Sequence, residues 1–192
     1  MKQYFLKIKK MLIFIFAALI FAACSNEETV VNTEDRLIST FYNNAISDTT
    51  GHINITDSAI VNGVVKLSFN IGNSNNKIEQ GDSVNFYYIG AILNSTDISN
   101  YMNSANVFTT NIDSIAVKYS LAGMTGKDVE KGIAGKNYYI KGLDTGLTMM
   151  NEHENALILF PSQLAYGSNT VGAVPANSPL IFKIIITKIK KN

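Results

Sequence analysis

Groups that usually carry catalysis are sparse in this sequence. Its histidines are His52 and His153, far apart in the chain, and its one cysteine is Cys24. Each histidine reads as a surface or turn residue, so neither a triad nor a metal site is expected, and no cofactor is implied. The side chain that stands out is Tyr166. It sits beside Gly167 at a loop corner, inside the stretch ALILFPSQLAYGSNTVGAVPANSPLIFKIII from Ala156 to Ile186. A phenol at such a corner fits a site better than a core. The chemistry that apolar walls and a phenol can do is differential binding with water excluded, without a nucleophile or a proton transfer.

The elements that must position this tyrosine are strands. Ala156 to Phe160 is an apolar run too short for a helix, so a buried strand is predicted. Pro161 ends it, because proline lacks the N–H a ladder needs. Leu180, Phe182, Ile184 and Ile186 alternate with Ile181, Lys183, Ile185 and Thr187. That period of two, with one cleaner apolar face, predicts a strand in a half-covered sheet. The loop between them carries Ala173-Val174 and is closed by Pro175 and Pro179.

Phe160-Pro161-Ser162-Gln163-Leu164-Ala165-Tyr166-Gly167, followed by Val174-Pro175-Ala176-Asn177-Ser178-Pro179-Leu180-Ile181-Phe182, closely resembles the C-terminal signature of the FKBP-type peptidyl-prolyl cis-trans isomerases. Upstream segments are similar to the family as well. Val84 through Tyr88 and Gly90 match its Val-x-x-x-Tyr-x-Gly strand, and Val107-Phe108-Thr109 its Phe-Asp segment. Tyr139-Ile140-Lys141-Gly142-Leu143, continuing to Gly146-Leu147, matches its Val-Ile-x-Gly-Trp/Leu helix start. The resemblance implies an α+β fold: a twisted antiparallel half-barrel sheet wrapped around one short helix. Leu143, Leu147 and Met150 fall at i, i+4 and i+7, so one face of that helix should point into the sheet, and it should end near Asn151.

The chain opens with Lys2, Lys7, Lys9 and Lys10 and no acid, then an apolar run from Met11 to Ala23. This pattern predicts a secretory signal peptide over residues 1–23. The run ends Leu19-Ile20-Phe21-Ala22-Ala23-Cys24, which resembles a bacterial lipoprotein processing site, with Phe21 an imperfect match. Lipidation at Cys24 would anchor the protein to a membrane of the cell envelope, facing periplasm or cell surface; the alternative is an ordinary secretory signal with a chance cysteine. Without residues 1–23, which hold four lysines and no acid, 12 Lys+Arg face 15 Asp+Glu, a formal −3. That balance argues against nucleic acid, which needs a basic face.

Residues 24–33 read as a linker. Glu34 to Ile46 is predicted to be an amphipathic helical arm, capped by Asn32 or Thr33, with Leu37, Ile38, Phe41, Tyr42, Ala45 and Ile46 on one face. Such an arm either supports a homodimer or packs on its own domain. With the strand predicted over Ala59–Ile71 it forms an extension, 34–75, before the isomerase-like domain, 76–192. Gly72 to Asp82 reads as a turn-rich loop and Asn94 to Asn106 as a surface insertion. Between Asn111 and Gly135 there are four glycines and a short helix near Ile112 to Leu121.

The family's reaction is rotation about an X-Pro bond, against a barrier of about 18–20 kcal/mol. The resemblance implies catalytic roles for Tyr88, Phe108, Tyr166 and Phe182, and substrate contacts from Tyr139, Ile140, Leu143 and Val174. Tyr88, Phe108 and Phe182 would be walls, Leu143 the floor and Val174 the rim. The Ile140 N–H and the Tyr166 hydroxyl would bond substrate carbonyls. Two departures stand out. Thr109 replaces a carboxylate that accepts a hydrogen bond across the pocket, and an aromatic of the second wall is missing, with Val129 and Glu130 falling nearest. The substrates implied are proline-containing polypeptides, and the role that of a folding helper. A binding or chaperone lipoprotein with little turnover is the alternative.

Overall fold

The computed structural model describes residues 29–121, 123–125, 129–135 and 140–192. The predicted signal peptide, Cys24 and Tyr139 lie outside the described residues. Of the unit Met1–Thr33, residues 29–33 are helical. The unit Glu34–Asn192 begins with helix α1 (34–46) and carries the sheet. The expected cap at Asn32 or Thr33 is not one. Thr33 is itself helical, and its Oγ1 donates back to the Thr29 carbonyl at 2.8 Å. Part of the expected linker is therefore helix.

The main sheet has seven strands, all pairings antiparallel, in the order β1-β2-β8-β9-β4-β5, with β6 also on β4. These are β1 Asp57–Val61, β2 Val64–Asn70, β4 Ser83–Ile92, β5 Val107–Thr110, β6 Glu130–Ile133, β8 Asn155–Phe160 and β9 Leu180–Lys190. The sheet does not close into a barrel. Register shifts at Ser68/Asn70, Asn85/Phe86 and Gly90/Ala91 mark bulges, which sharpen twist and bend the sheet.

The strand predicted over Ala59–Ile71 is a hairpin instead. Asn62 and Gly63 both take positive φ, 50° and 78°, and turn β1 into β2. Asn-Gly is the strongest short hairpin signal, because both residues tolerate the left-handed region. The predicted loop Gly72–Asp82 contains a further strand, β3 Asn73–Lys77, which pairs with β7 Asn151–Glu152 in a small second sheet.

The inner face of the main sheet carries Phe86, Phe160, Leu180, Ile184 and Ile186, closed over by helix α3 Lys141–Leu147. As expected, Leu143, Leu147 and Met150 are buried there; the helix itself stops at Leu147 and a turn covers Thr148 and Met149. Gly142 and Gly146 let α3 lie directly on β8. A Cβ at Gly142 would enter the Phe160 ring, and one at Gly146 the Ile158 side chain.

The expected half-covered sheet is covered on both faces. Ile181, on the face predicted to be the less apolar, is 0% exposed. It joins a second core with Val65, Leu67, Leu157, Leu159, Ile38, Phe41 and Ala45. Apart from Ile46, which is exposed, the apolar face of α1, from which a homodimer could be built, thus packs on the chain's own sheet. The insertion Asn94–Asn106 helps to seal this core: Tyr101 meets Phe41 edge-on at 5.7 Å. Asn106, buried, donates to the Ile92 and Tyr101 carbonyls at 3.1 and 2.7 Å. A large side chain fully buried contributes about 1.5–3 kcal/mol, so Phe41 alone matters to α1. Among the described residues no helix is long and apolar enough to cross a membrane.

Candidate functional site

The concave inner face opens into a cavity of about 590 Å³. Tyr88, Phe108, Ile140, Leu143, Tyr166, Val174 and Phe182 all line it. Every candidate site residue that falls among the described residues is therefore brought to one concavity.

Phe182, near the start of β9, is the hub. Its ring lies 5.9 Å from Phe160 in a stacked pair, 6.0 Å from Phe108 edge-on and 6.2 Å from Tyr88. Such offset and edge geometries follow from the ring quadrupole, and each adds about 0.5–1.5 kcal/mol beyond burial. Neighbouring strands set this cluster: Tyr88 is opposite Ile184 and Gly90 opposite Phe182 in the β4–β9 register.

Tyr88 is fixed through its backbone by residues that the sequence reading did not single out. Its N–H donates to Asn111 Oδ1 at 2.8 Å, and its carbonyl accepts from Thr110 Oγ1 at 2.7 Å. Asn111 is buried and also donates from Nδ2 to the Phe86 carbonyl at 3.0 Å. The local signal was an Asn at a strand end, which commonly bonds backbone; only the fold shows which backbone. Past Asn111 the chain forms the short helix α2 Asp113–Lys118, inside the predicted Ile112–Leu121.

Tyr166 rides on the turn that follows β8. Pro161 leads into a 3-10 turn, Ser162–Leu164, and the Ser162 carbonyl accepts the Ala165 and Gly167 N–H groups, both at 2.8 Å. The Gly167 carbonyl accepts from Asn177 N at 2.8 Å, and Val171 and Val174 bridge across the loop at 2.9 and 3.0 Å. Val174 is thereby buried while Val171 stays exposed at the rim. Burial, and secondarily the neighbouring Tyr88, pushes the Tyr166 phenol above the usual tyrosine range. It stays a protonated donor at neutral pH.

The remaining wall departs from an all-aromatic pocket. Thr109, Met124 and Glu130 line it, and Thr109 Oγ1 donates to Met124 Sδ at 3.9 Å. Glu130 belongs to β6, opposite Phe86 on β4. No ring from this wall stands among the described lining residues. Ile140, with extended backbone (φ −61°, ψ 146°), stands at the N-cap of α3, and both it and Leu143 line the cavity.

The sequence profile described as "FKBP-type peptidyl-prolyl cis-trans isomerase" matches residues 74–187. The chain is 30% identical over 135 residues to "FK506-binding protein 4" of Gibberella zeae, covering 70% of this chain and 22% of that protein. It is 26% identical over 113 residues to "Peptidyl-prolyl cis-trans isomerase FKBP9" of Mus musculus, covering 58% of this chain and 16% of that one. The chain thus spans about a fifth or less of the length of these curated relatives. Among solved structures, the three FKBP domains of wheat FKBP73 superpose with a TM-score of 0.53 at 20% identity, over 72% of this chain and 51% of that one. The N-terminal domain of FKBP42 from Arabidopsis thaliana gives 0.52 at 17% identity, over 71% and 94%. These structures share the fold: an antiparallel sheet with a short helix.

Proposed function

The chain belongs to the FKBP-type peptidyl-prolyl cis-trans isomerase family, and from that premise we propose that it accelerates rotation about X-Pro bonds in exported polypeptides and so helps them fold. One observation carries the reading: Tyr88, Phe108, Phe182, Leu143 and Tyr166 converge on a single apolar cavity. The barrier to rotation comes from amide resonance, which places negative charge on oxygen. Water stabilises that planar, charge-separated state. Inside the ring cluster the planar amide loses this stabilisation, while the twisted transition state, with less charge on oxygen, loses little. The Tyr166 hydroxyl and the Ile140 N–H would hold the flanking carbonyls, and Tyr139 and Val174 would border the bound segment. The rest is shape: walls that fit the twisted form.

An NMR exchange assay on a short X-Pro peptide tests this. The protein should accelerate cis-trans exchange, and Tyr166→Phe combined with Phe182→Ala should abolish the acceleration. Acceleration that survives both changes would sink the assignment of the site. Binding without acceleration would support the second reading, a low-turnover binding protein. That reading is favoured by Thr109, Met124 and Glu130 on the wall where a carboxylate and a ring would otherwise stand.

The leader sequence adds a location to the proposal: lipid attached at Cys24 tethers the protein at the cell envelope. Membrane fractions from cells making the full chain should contain it, and Cys24→Ser should release it. Persistent membrane association of that variant would remove the lipid anchor from the proposal.

A further inference from the structure

The corner that carries Tyr166 is tied to a carboxylate from the far end of the sequence. Glu34, the first residue of the unit Glu34–Asn192, is 5% exposed. Its Oε2 accepts from Ser162 N at 2.6 Å and its Oε1 accepts from Ser162 Oγ at 2.7 Å, across 128 residues of sequence. Ser162 is 3% exposed. Both bonds are charge-assisted and shielded from water, which strengthens them and makes their geometry exacting. The Ser162 carbonyl then accepts the N–H groups of Ala165 and Gly167, the two residues that flank Tyr166. Glu34 therefore grips the root of the turn from which the phenol projects into the cavity. It lies outside the matched stretch 74–187, on a helix whose other buried side chains pack on the opposite face of the sheet.

We propose that Glu34 is a positioning residue for Tyr166: through Ser162 it fixes the turn that aims the phenol at the bound peptide. The inference rests on reading the cavity as an X-Pro isomerase site. It makes α1 part of the catalytic apparatus as well as of the second core.

A double-mutant cycle on the full chain tests it, read by NMR exchange of an X-Pro peptide. Glu34→Ala should lower kcat/KM about tenfold, chiefly in kcat, the scale of the one hydrogen bond to the substrate that a misplaced Tyr166 no longer makes. Glu34→Gln should keep most of the activity. Its amide oxygen can accept from Ser162 N while its NH2 donates to Ser162 Oγ, which is able to accept. In a Tyr166→Phe background Glu34→Ala should add less than about twofold, because the group it positions is gone. The same tenfold loss in both backgrounds, or no loss in either, would overturn the proposal. If Glu34→Ala fails to fold by circular dichroism, Ser162→Ala takes its place in the cycle, with a smaller loss and the same non-additivity expected. If the unaltered protein does not accelerate exchange, the isomerase reading fails, and amide hydrogen exchange decides the positioning. Glu34→Ala, or Ser162→Ala in its stead, must then speed exchange at Ala165 and Gly167 while leaving the β8–β9 amides protected. Unchanged rates at those two amides would refute it.

Discussion

Phe182 can touch three other rings only because Gly90, across the β4–β9 ladder, has no side chain. A Cβ there would come within 2.7 Å of Phe182 Cε1 and 2.6 Å of Thr109 Cγ2. Gly90→Ala should therefore push both side chains into the cavity. Overpacking of this kind costs about 1–3 kcal/mol, which a urea midpoint would register, and kcat/KM should fall with it. An unchanged midpoint would mean the rings yield freely. At Tyr166 the prediction concerns pH. Burial, then the neighbouring Tyr88, raises the phenol's pKa above the ordinary value of about 10. The protonated donor therefore persists to higher pH than in a free tyrosine, and kcat/KM should stay flat from about pH 6 to 9. A fall centred near pH 8 would count against the phenol. Most residues of this site could be read in the sequence, because Tyr166, Val174 and Phe182 stand at fixed spacing in one continuous stretch. Met124 had no such marker: it lies among glycines with no periodicity to place it. Asn111 and Glu34 act through hydrogen bonds to distant backbone, 25 and 128 residues away, which no local pattern encodes.

Among the elements outside the matched family stretch, α1 helps to build the second core. Phe41 is fully buried between the sheet and Tyr101. Phe41→Ala should destabilise the unit by about 3–5 kcal/mol, the range for a deleted core aromatic. Hydrogen exchange should show the amides of α1 opening first, since few other side chains of comparable size hold it. If α1 served only as an arm for a second copy, the loss would instead depend on protein concentration. Helices and strands with a clear period were legible: α1 from its three- and four-residue spacing, β9 from its alternation. The β1–β2 hairpin was missed: Asn62-Gly63 marks its turn, but the apolar alternation running through it reads as one strand. β3 was not legible. Asn-Ser-Asn-Asn-Lys has no apolar face and low strand propensity, and it pairs only because β7 lies beside it. The second core was hidden for a similar reason, since Ile181 looks like part of a mixed face until α1 is laid over it.

For the molecule as a whole, carboxylates are held by donors that include residues far away in sequence, and two of them, Asp82 and Glu152, set its response to acid. Glu154 is fully buried and accepts from Lys66 Nζ at 2.8 Å and Ser68 Oγ at 2.6 Å. Asp82 and Glu152 clamp the C-terminal end of β9. Burial pushes the Asp82 carboxyl up, but hydrogen bonds from Glu79 N, Lys191 and Asn192 N outweigh it and leave its pKa below the usual 3.8. For Glu152 the bond from Ile189 N, then that from Asn76, lowers the carboxyl below the usual 4.5. A carboxyl lowered in the native state binds fewer protons there than in the unfolded chain. Its stabilisation is complete above the unfolded values and is lost as pH falls through the lower native ones. The urea midpoint should therefore be level between about pH 7 and 5 and decline below about 4.5. The double variant Asp82→Asn/Glu152→Gln should start from a lower midpoint at neutral pH and decline less steeply below about 4.5, because two of the linked protonations are gone. Hydrogen exchange on acidification should loosen the β9 end near Ile189 before the ring cluster at Phe182. Parallel acid profiles for the two proteins would place the acid sensitivity elsewhere.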